Sequence, residues 1–587
     1  MRTAAWLTAA GVVLGAPGWT FAQPSATVFT DVNLVRLDQE RVESGRTVVV
    51  QGDRIVAIGR SGDLLLPDGA DIVDGRGRFL LPGLVDSHVH VTTDMPWAPT
   101  RADFGDGLLY LAHGVTTVVN LRGTPAQLEW KQRIAAGELL GPTLYTAGEF
   151  VNEPRVVSAA DVRREVLEQA RLGHDLIKFH EVWEPGAGLA MQRGLSREAY
   201  AAMFEAAREA GLPVVGHAPV NLGLDGLLAS SGGALAHIGE LNRLHFVLGR
   251  RILMATSVAA LVLLSVVAWW GAAALSRWMR QASALPPRAL RRARRLFAGV
   301  LVAVPVLFAG GFVVGPGGWF YESAAWRIAT ALVGLALVAL ALLAIAASAR
   351  LWRDPVVARR SKLALLLAAT SAITLVLLVS MGWLPFLWRT SEPAIGSLAV
   401  RFREAGVGVQ STLVVYEALS PDGARRVVAD PSFAWLAPQV QALWRQVAER
   451  RSADEGGGLL APPRLPEFIR MVAGVFHRRG VLLLAGTDAM GVPLVAPGSS
   501  LVRELHLLEL SGLTPYETLR TATANPARFL GQGEEFGTIA VGARADLLLL
   551  DRDPLESVSA LDRPAGVMAR GRWLPRERLE EMLSALR

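Results

Sequence analysis

Residues 82–90 read Pro82-Gly83-Leu84-Val85-Asp86-Ser87-His88-Val89-His90. A Pro-Gly turn followed by apolar residues opens a strand, and this strand ends in polar chemistry. Residues two apart on a strand point to the same side, so His88 and His90 can reach one ion. Taken alone, His-x-His is equally what two ordinary histidines look like. Its meaning depends on the rest of the chain.

Downstream, short apolar runs alternate with helical spacing. Strands are predicted at 84–90, 115–121, 143–147, 176–180, 214–217, 234–237, 407–412 and 481–487. Helical patterns lie between them, as at 197–210, where apolar residues recur every three or four positions. Eight parallel strands with helical crossovers predict an α/β fold, a (β/α)8 TIM-like barrel over 82–245 and 395–530. Upstream, 27–81 shows short alternating strands with glycine turns, and 536–575 returns to the same pattern. Together they predict a small β-sandwich domain formed by both ends of the chain. Thr514-Pro515-Tyr516-Glu517 is a capping box that opens a helix.

Four further residues fall at the ends of predicted strands, where barrel enzymes place their chemistry. They are Lys178, His217, His237 and Asp488. Each has a bland reading: a snorkelling lysine, satisfied core histidines, a helix N-cap. Their joint placement is more specific than any one of them. The chain holds 59 lysines and arginines, of which only Lys131, Lys178 and Lys362 are lysines. A lysine inside an apolar strand of so arginine-biased a sequence asks for a property that arginine lacks, such as ready loss of its proton.

The Pro82–His90 stretch, the strand lysine, the two later histidines and Gly486-Thr487-Asp488 resemble the amidohydrolase superfamily, in particular its imidazolonepropionase-like and prolidase-like dipeptidase branch. The resemblance covers about 27–245 and 395–575. It implies two divalent metal ions, with zinc the expected metal. His88, His90 and Asp488 would hold one, and His217 and His237 the other. Lys178, carboxylated by carbon dioxide to a carbamate, would bridge them. Two cations need anionic and neutral donors, which a carbamate supplies and an ammonium does not. A hydroxide shared by such ions is a strong nucleophile at neutral pH. The implied function is hydrolysis of amide or peptide C–N bonds in a small-molecule substrate, a dipeptide or N-acyl amino acid. Asp488 is the catalytic candidate to pass a proton to the leaving amine. His180 is placed behind the ligands, and Arg243 and Tyr416 follow strands at positions that can touch substrate. The same metal set also serves lactonases, phosphoester hydrolases and deaminases. A ligand-binding membrane receptor without turnover is the non-enzymatic reading; it has no need of a bridging lysine.

Composition adds a second expectation. Hydrophobic residues make up 51% of the 587 and mean hydropathy is +0.33. The excess lies at the N-terminus and between 252 and 388. Residues 1–22 read as a signal peptide with Arg2, an apolar run and Thr20-Phe21-Ala22. Four apolar segments, 252–275, 296–314, 328–349 and 363–387, predict an inserted transmembrane module of four helices over 250–390. Residues 277–295 carry seven arginines and no acid, and 350–362 carry a net +4. These two stretches exceed the whole chain's net charge of +6, so the basicity is local and points to membrane topology, not nucleic acid. The resulting expectation is an integral protein of a bacterial inner membrane, with the catalytic part periplasmic and in reach of membrane lipid. With no cysteine, disulfides and thiolate metal sites are excluded. The sequence leaves homo-oligomer formation open.

Overall fold

The computed structural model describes residues 26–91, 101–180, 182–183, 192–219, 221–230, 232–246, 342, 346, 389–453 and 465–586. The chain opens with β1 (Thr27–Arg36), β2 (Arg41–Gln51), β3 (Arg54–Arg60), β4 (Asp71–Asp74) and β5 (Phe79–Pro82). Next come β6 (Leu84–Val89), β7 (Val115–Asn120), β8 (Thr143–Thr146) and β9 (Ile177–Phe179). A short pair, β10 (Val182–Trp183) and β11 (Gln192–Arg193), precedes β12 (Val214–Gly216), β13 (Gly233–Leu235), β14 (Gly408–Gln410) and β15 (Leu483–Leu484). The last strands are β16 (Leu547–Leu550), β17 (Gly566–Ala569) and β18 (Arg572–Pro575).

Strands from the two chain ends share one eight-stranded sheet in the order β18-β17-β16-β5-β1-β2-β3, with β4 alongside β1. Strand β16 explains how this sheet docks. All of Leu547–Leu550 is buried, and side chains alternate between faces. Leu547 and Leu549 join Phe29, Val48 and Leu80 in the sheet's own core, while Leu548 and Leu550 join the main core beside Leu81 and Leu84. The expected β-sandwich is thus a single mixed sheet with apolar side chains on both faces.

From β6 to β15, the β10–β11 pair aside, seven of the eight short strands lie within a predicted stretch, β13 begins one residue before its own, and all pair in parallel. Apart from the half-buried Thr143 and Tyr145 of β8, their residues are buried, as expected of strands covered on both sides. They form two sheets, however: β6-β7-β8, and β15-β14-β13-β12-β9. The sheets touch at single parallel bridges, Ala147↔Leu176 and Val89↔Ala489. Helices between strands carry the expected stop signals. Ser158 and Asp161 form a capping box that opens Ala159–Leu172, and Gly173, at φ 90°, closes it. The helix Glu392–Ala405 ends at Gly406 in the same left-handed conformation.

Two expectations require correction. One continuous (β/α)8 barrel carrying a four-helix transmembrane insertion is replaced by a mixed α/β fold with several sheets. Among the described residues, no helix is long and apolar enough to cross a membrane. The integral-membrane placement, the periplasmic catalytic side and the lipid contact lose their support accordingly. The signal peptide at 1–22 and the four apolar segments, apart from positions 342 and 346, lie outside the described residues.

Candidate metal centre

His88 lies at the C-terminal end of β6 and His90 just beyond it, and the backbone there sets the rest of the centre. Asp488 N donates to His88 O at 2.7 Å, and His90 N donates to Ala489 O at 2.9 Å. The 487–489 segment therefore runs beside the histidine strand. Asp488 itself is left-handed, at φ 63°, which turns its carboxylate back toward that strand. Asp488 Oδ1 lies 3.4 Å from His88 Nε2 and 3.0 Å from His90 Nε2. All three side chains are buried, and one ligand atom from each falls within 4.8 Å of the others.

Glycines make this approach possible. A Cβ at Gly486 would stand 2.7 Å from His88 Cβ, and one at Gly491 would stand 2.3 Å from Asp488 Oδ1 and 2.4 Å from His90 Cδ2. Real Cβ atoms do not approach so closely, so both positions demand glycine unless the ligands move.

The other imidazoles continue the cluster. Ring centroids of His88 and His237 are 4.4 Å apart, those of His237 and His217 5.0 Å, and those of His217 and His180 4.1 Å. His180 is stacked on Phe150 at 5.1 Å. Lys178, at the centre of β9, is paired in register with Val215 of β12 and is fully buried. Tyr416 places its hydroxyl over Gly239, where a Cβ would come within 2.0 Å of it, so it sits beside the turn that follows His237. Arg243 falls in the π-helical turn Asn242–Phe246, with its side chain outside the described residues.

Burial shapes the protonation of these groups. It pushes His88 well below the usual imidazole range, helped by the charges of Lys178, His237 and His90. Burial likewise brings His180 down to about 3. Both rings are neutral at pH 7, the form that binds metals. Burial lowers Lys178 to about 7, against the opposing charges of Asp488 and Glu240. For Asp488, burial works upward, yet the His90 hydrogen bond and the charges of His237, His90 and Lys178 hold it below its ordinary value.

Both ring nitrogens of His88, His90 Nδ1 and Lys178 Nζ are buried without a hydrogen-bond partner. Buried polar atoms are ordinarily satisfied, so such a group fits a cation. The donor set, neutral imidazole nitrogen plus carboxylate oxygen, suits a divalent metal ion.

Several supporting residues gave no signal in the sequence. Asp86 accepts from Thr487 N at 3.0 Å and from Thr487 Oγ1 at 2.6 Å. Gln410 Nε2 donates to Ser87 O at 2.5 Å. Thr412 Oγ1 lies 2.9 Å from His237 Nδ1. Glu240 Oε2 accepts from Ala218 N at 3.0 Å, next to His217. Asp86 stood in the quoted motif and could have been noticed as an acid on an apolar strand.

The chain has known relatives. The sequence profile of the amidohydrolase family matches residues 79–256 and 450–574. An adenine deaminase from Rubrobacter xylanophilus is 27% identical over 181 residues, which is 29% of this chain and 29% of that protein. The chain thus spans less than a third of that relative. Among solved structures, bottromycin amidohydrolase has a TM-score of 0.57 at 19% identity, covering 96% of this chain and 91% of its own. A Xaa-Pro dipeptidase with bound methionine has a TM-score of 0.51 at 15% identity, covering 94% of this chain and 100% of its own. At these identities the structural likeness concerns the fold. With a family profile matched over more than half its length, the chain belongs to the amidohydrolase family.

Proposed function

We propose that the chain hydrolyses an amide or peptide bond in a small substrate of the dipeptide or N-acyl amino acid kind, using a pair of divalent cations. The observation that carries this reading is the buried Asp488 carboxylate shared by His88 and His90, with His237, His217 and Lys178 continuing the same cluster. His88, His90 and Asp488 would hold one ion and His217 and His237 the second, with Lys178 between them as a carbamate. When bound, such ions activate water at neutral pH and polarise the scissile carbonyl.

The chain's own residues supply the rest. The burial that brings Lys178 down to about 7 leaves a substantial neutral fraction, and the neutral amine is the form that adds to carbon dioxide. Asp488 Oδ1 takes the proton released as water attacks and gives it to the leaving nitrogen, which must be protonated to depart. Its low pKa keeps it able to accept that proton. Tyr416, seated over Gly239, would meet substrate from the β14 side, and neutral His180, with its ring 4.1 Å from that of His217, would support that ligand.

The test is a screen of dipeptides and N-acyl amino acids on enzyme loaded with zinc and bicarbonate, with Lys178→Ala as control. Turnover by the native chain and its loss in the variant is the expected result. No turnover of any C–N substrate by fully metallated protein would overturn the reading. The adenine deaminase likeness favours one rival, so ammonia release from aminopurines belongs in the same screen.

A further inference from the structure

We infer that Glu504 is a positioning residue for His237, acting through Thr412. This rests on the reading of His237 as a metal ligand. Glu504 lies on the helix Ser499–Leu510, among the buried Leu501, Leu505 and Leu508. A carboxylate on such a face is costly unless its oxygens are used. Both are: Ser411 Oγ donates to Oε1 at 2.5 Å, and Val414 N donates to Oε2 at 2.7 Å.

Those two contacts bracket Thr412. This residue is fully buried and left-handed, at φ 42° and ψ 41°. A β-branched residue avoids that region unless its surroundings impose it. With its neighbours on both sides tied to one carboxylate, the segment cannot relax to ordinary helix without breaking a contact. The held conformation puts Thr412 Oγ1 2.9 Å from His237 Nδ1. His237 also has a positive φ, 59°, with ψ 109°, so two strained residues from different parts of the chain meet in one hydrogen bond. A ring that donates from Nδ1 to Thr412 keeps its Nε2 lone pair for an ion. Glu504 is thus one step further out than Thr412, and its loss acts on the orientation of the ring.

The experiment uses the full chain loaded with cobalt(II). It records cobalt retained against a competing chelator, together with the unfolding temperature. Thr412→Val is expected to lower cobalt affinity by roughly 10–100-fold, the usual cost of losing a partner behind a ligand. Glu504→Leu is expected to match it, and the double variant to be no worse than either, since both remove one path. Glu504→Gln is expected to stay near native affinity, because its amide still accepts from Val414 N and can donate to Ser411. If Glu504→Leu does not fold, Ser411→Ala removes one arm of the bracket and is expected to lose affinity in the same direction. The inference is overturned if Glu504→Leu, or Ser411→Ala in its place, lowers the unfolding temperature while retaining cobalt as the native chain does. Losses that multiply in the double variant also overturn it. His237→Ala separates the two readings. If it loses cobalt while Glu504→Leu does not, the brace alone falls; if it retains cobalt, the ligand assignment falls and takes the brace with it.

Discussion

Thr487 clasps Asp86 with both its amide and its hydroxyl, at 3.0 and 2.6 Å, across 401 residues of chain. The clasp ties the strand bearing His88 and His90 to the turn bearing Asp488, so the three ligands are placed by one carboxylate that need not touch an ion. Burial pushes that carboxyl up to about 8, and only the donors from Thr487 and His88 pull it back. Asp86→Ala removes the acceptor for three buried donors, Thr487 N, Thr487 Oγ1 and His88 N, and should destabilise the fold on the order of 2–4 kcal/mol. Asp86→Asn retains one acceptor and a donor and should cost less. Thermal unfolding of both variants, with zinc content measured alongside, checks the order. Equal losses would show that the amide recovers none of the clasp, and no loss in either would show that the clasp does not hold the fold.

Removing the metal should abolish turnover. Dialysis against a chelator is expected to lower activity by at least about 100-fold, with recovery on adding zinc, since each ion supplies several kcal/mol of the barrier reduction. His88→Ala and Asp488→Ala should show the same loss without recovery, and metal analysis should show less than the native content. Full metal content in both would remove the first ion from this site.

How much of this could be read from the sequence depends on the range of each interaction. His88 and His90 were legible because strand geometry alone aims two alternate residues one way. Lys178 was legible from the arginine bias around it. Asp488, His217 and His237 stood at strand ends, a placement that local pattern reveals. Thr412, Gln410 and Glu504 were not legible, because a threonine, an amide and a helical glutamate look ordinary until distant segments meet. The small sheet failed differently: period-two patterning marks its strands but does not say whether they pair into one layer or two. The membrane expectation rested on hydropathy and loop charge without any tertiary contact to check it, and no described helix meets the requirement.

Lys178→Ala tests the carbamate directly. The variant opens a void where a bridging anion belongs, and a small carboxylic acid matches that void in charge and size. Acetate or propionate is expected to restore a measurable share of turnover, at least about tenfold over the unsupplemented variant, because a correctly placed ligand recovers much of an ordering effect. Lys178→Arg should not respond, since its side chain blocks the space and keeps its charge. Rescue of both, or of neither, would argue against an anionic bridge.

Stability should also depend on pH through Glu504. Burial raises its carboxyl to about 7, against donors from Ser411, Leu413 and Val414. An unfolded chain titrates this group at its ordinary value, 4.5. Between those values the folded state holds a proton that the unfolded state has lost. Stability is therefore full below about pH 4.5 and declines as pH rises to about 7, by on the order of 3 kcal/mol. Glu504→Gln carries no such titration. Its stability relative to the native chain should rise across that window and level off above it, as followed by denaturant unfolding at a series of pH values. A constant difference would mean that the carboxyl is not held protonated in the fold.

Gly491 offers the sharpest separation of site from scaffold. A Cβ there would stand 2.3 Å from Asp488 Oδ1 and 2.4 Å from His90 Cδ2, so the ligands, not the core, would have to give way. Displacing a ligand by even about 1 Å is enough to cost on the order of 100-fold in turnover. Gly491→Ala should therefore lose activity and metal affinity by at least that order while its unfolding temperature, measured without metal, stays close to native. A variant that keeps its activity would show that the 488–491 turn has room to move. Asp488 would then not be held at the distances that place it between His88 and His90.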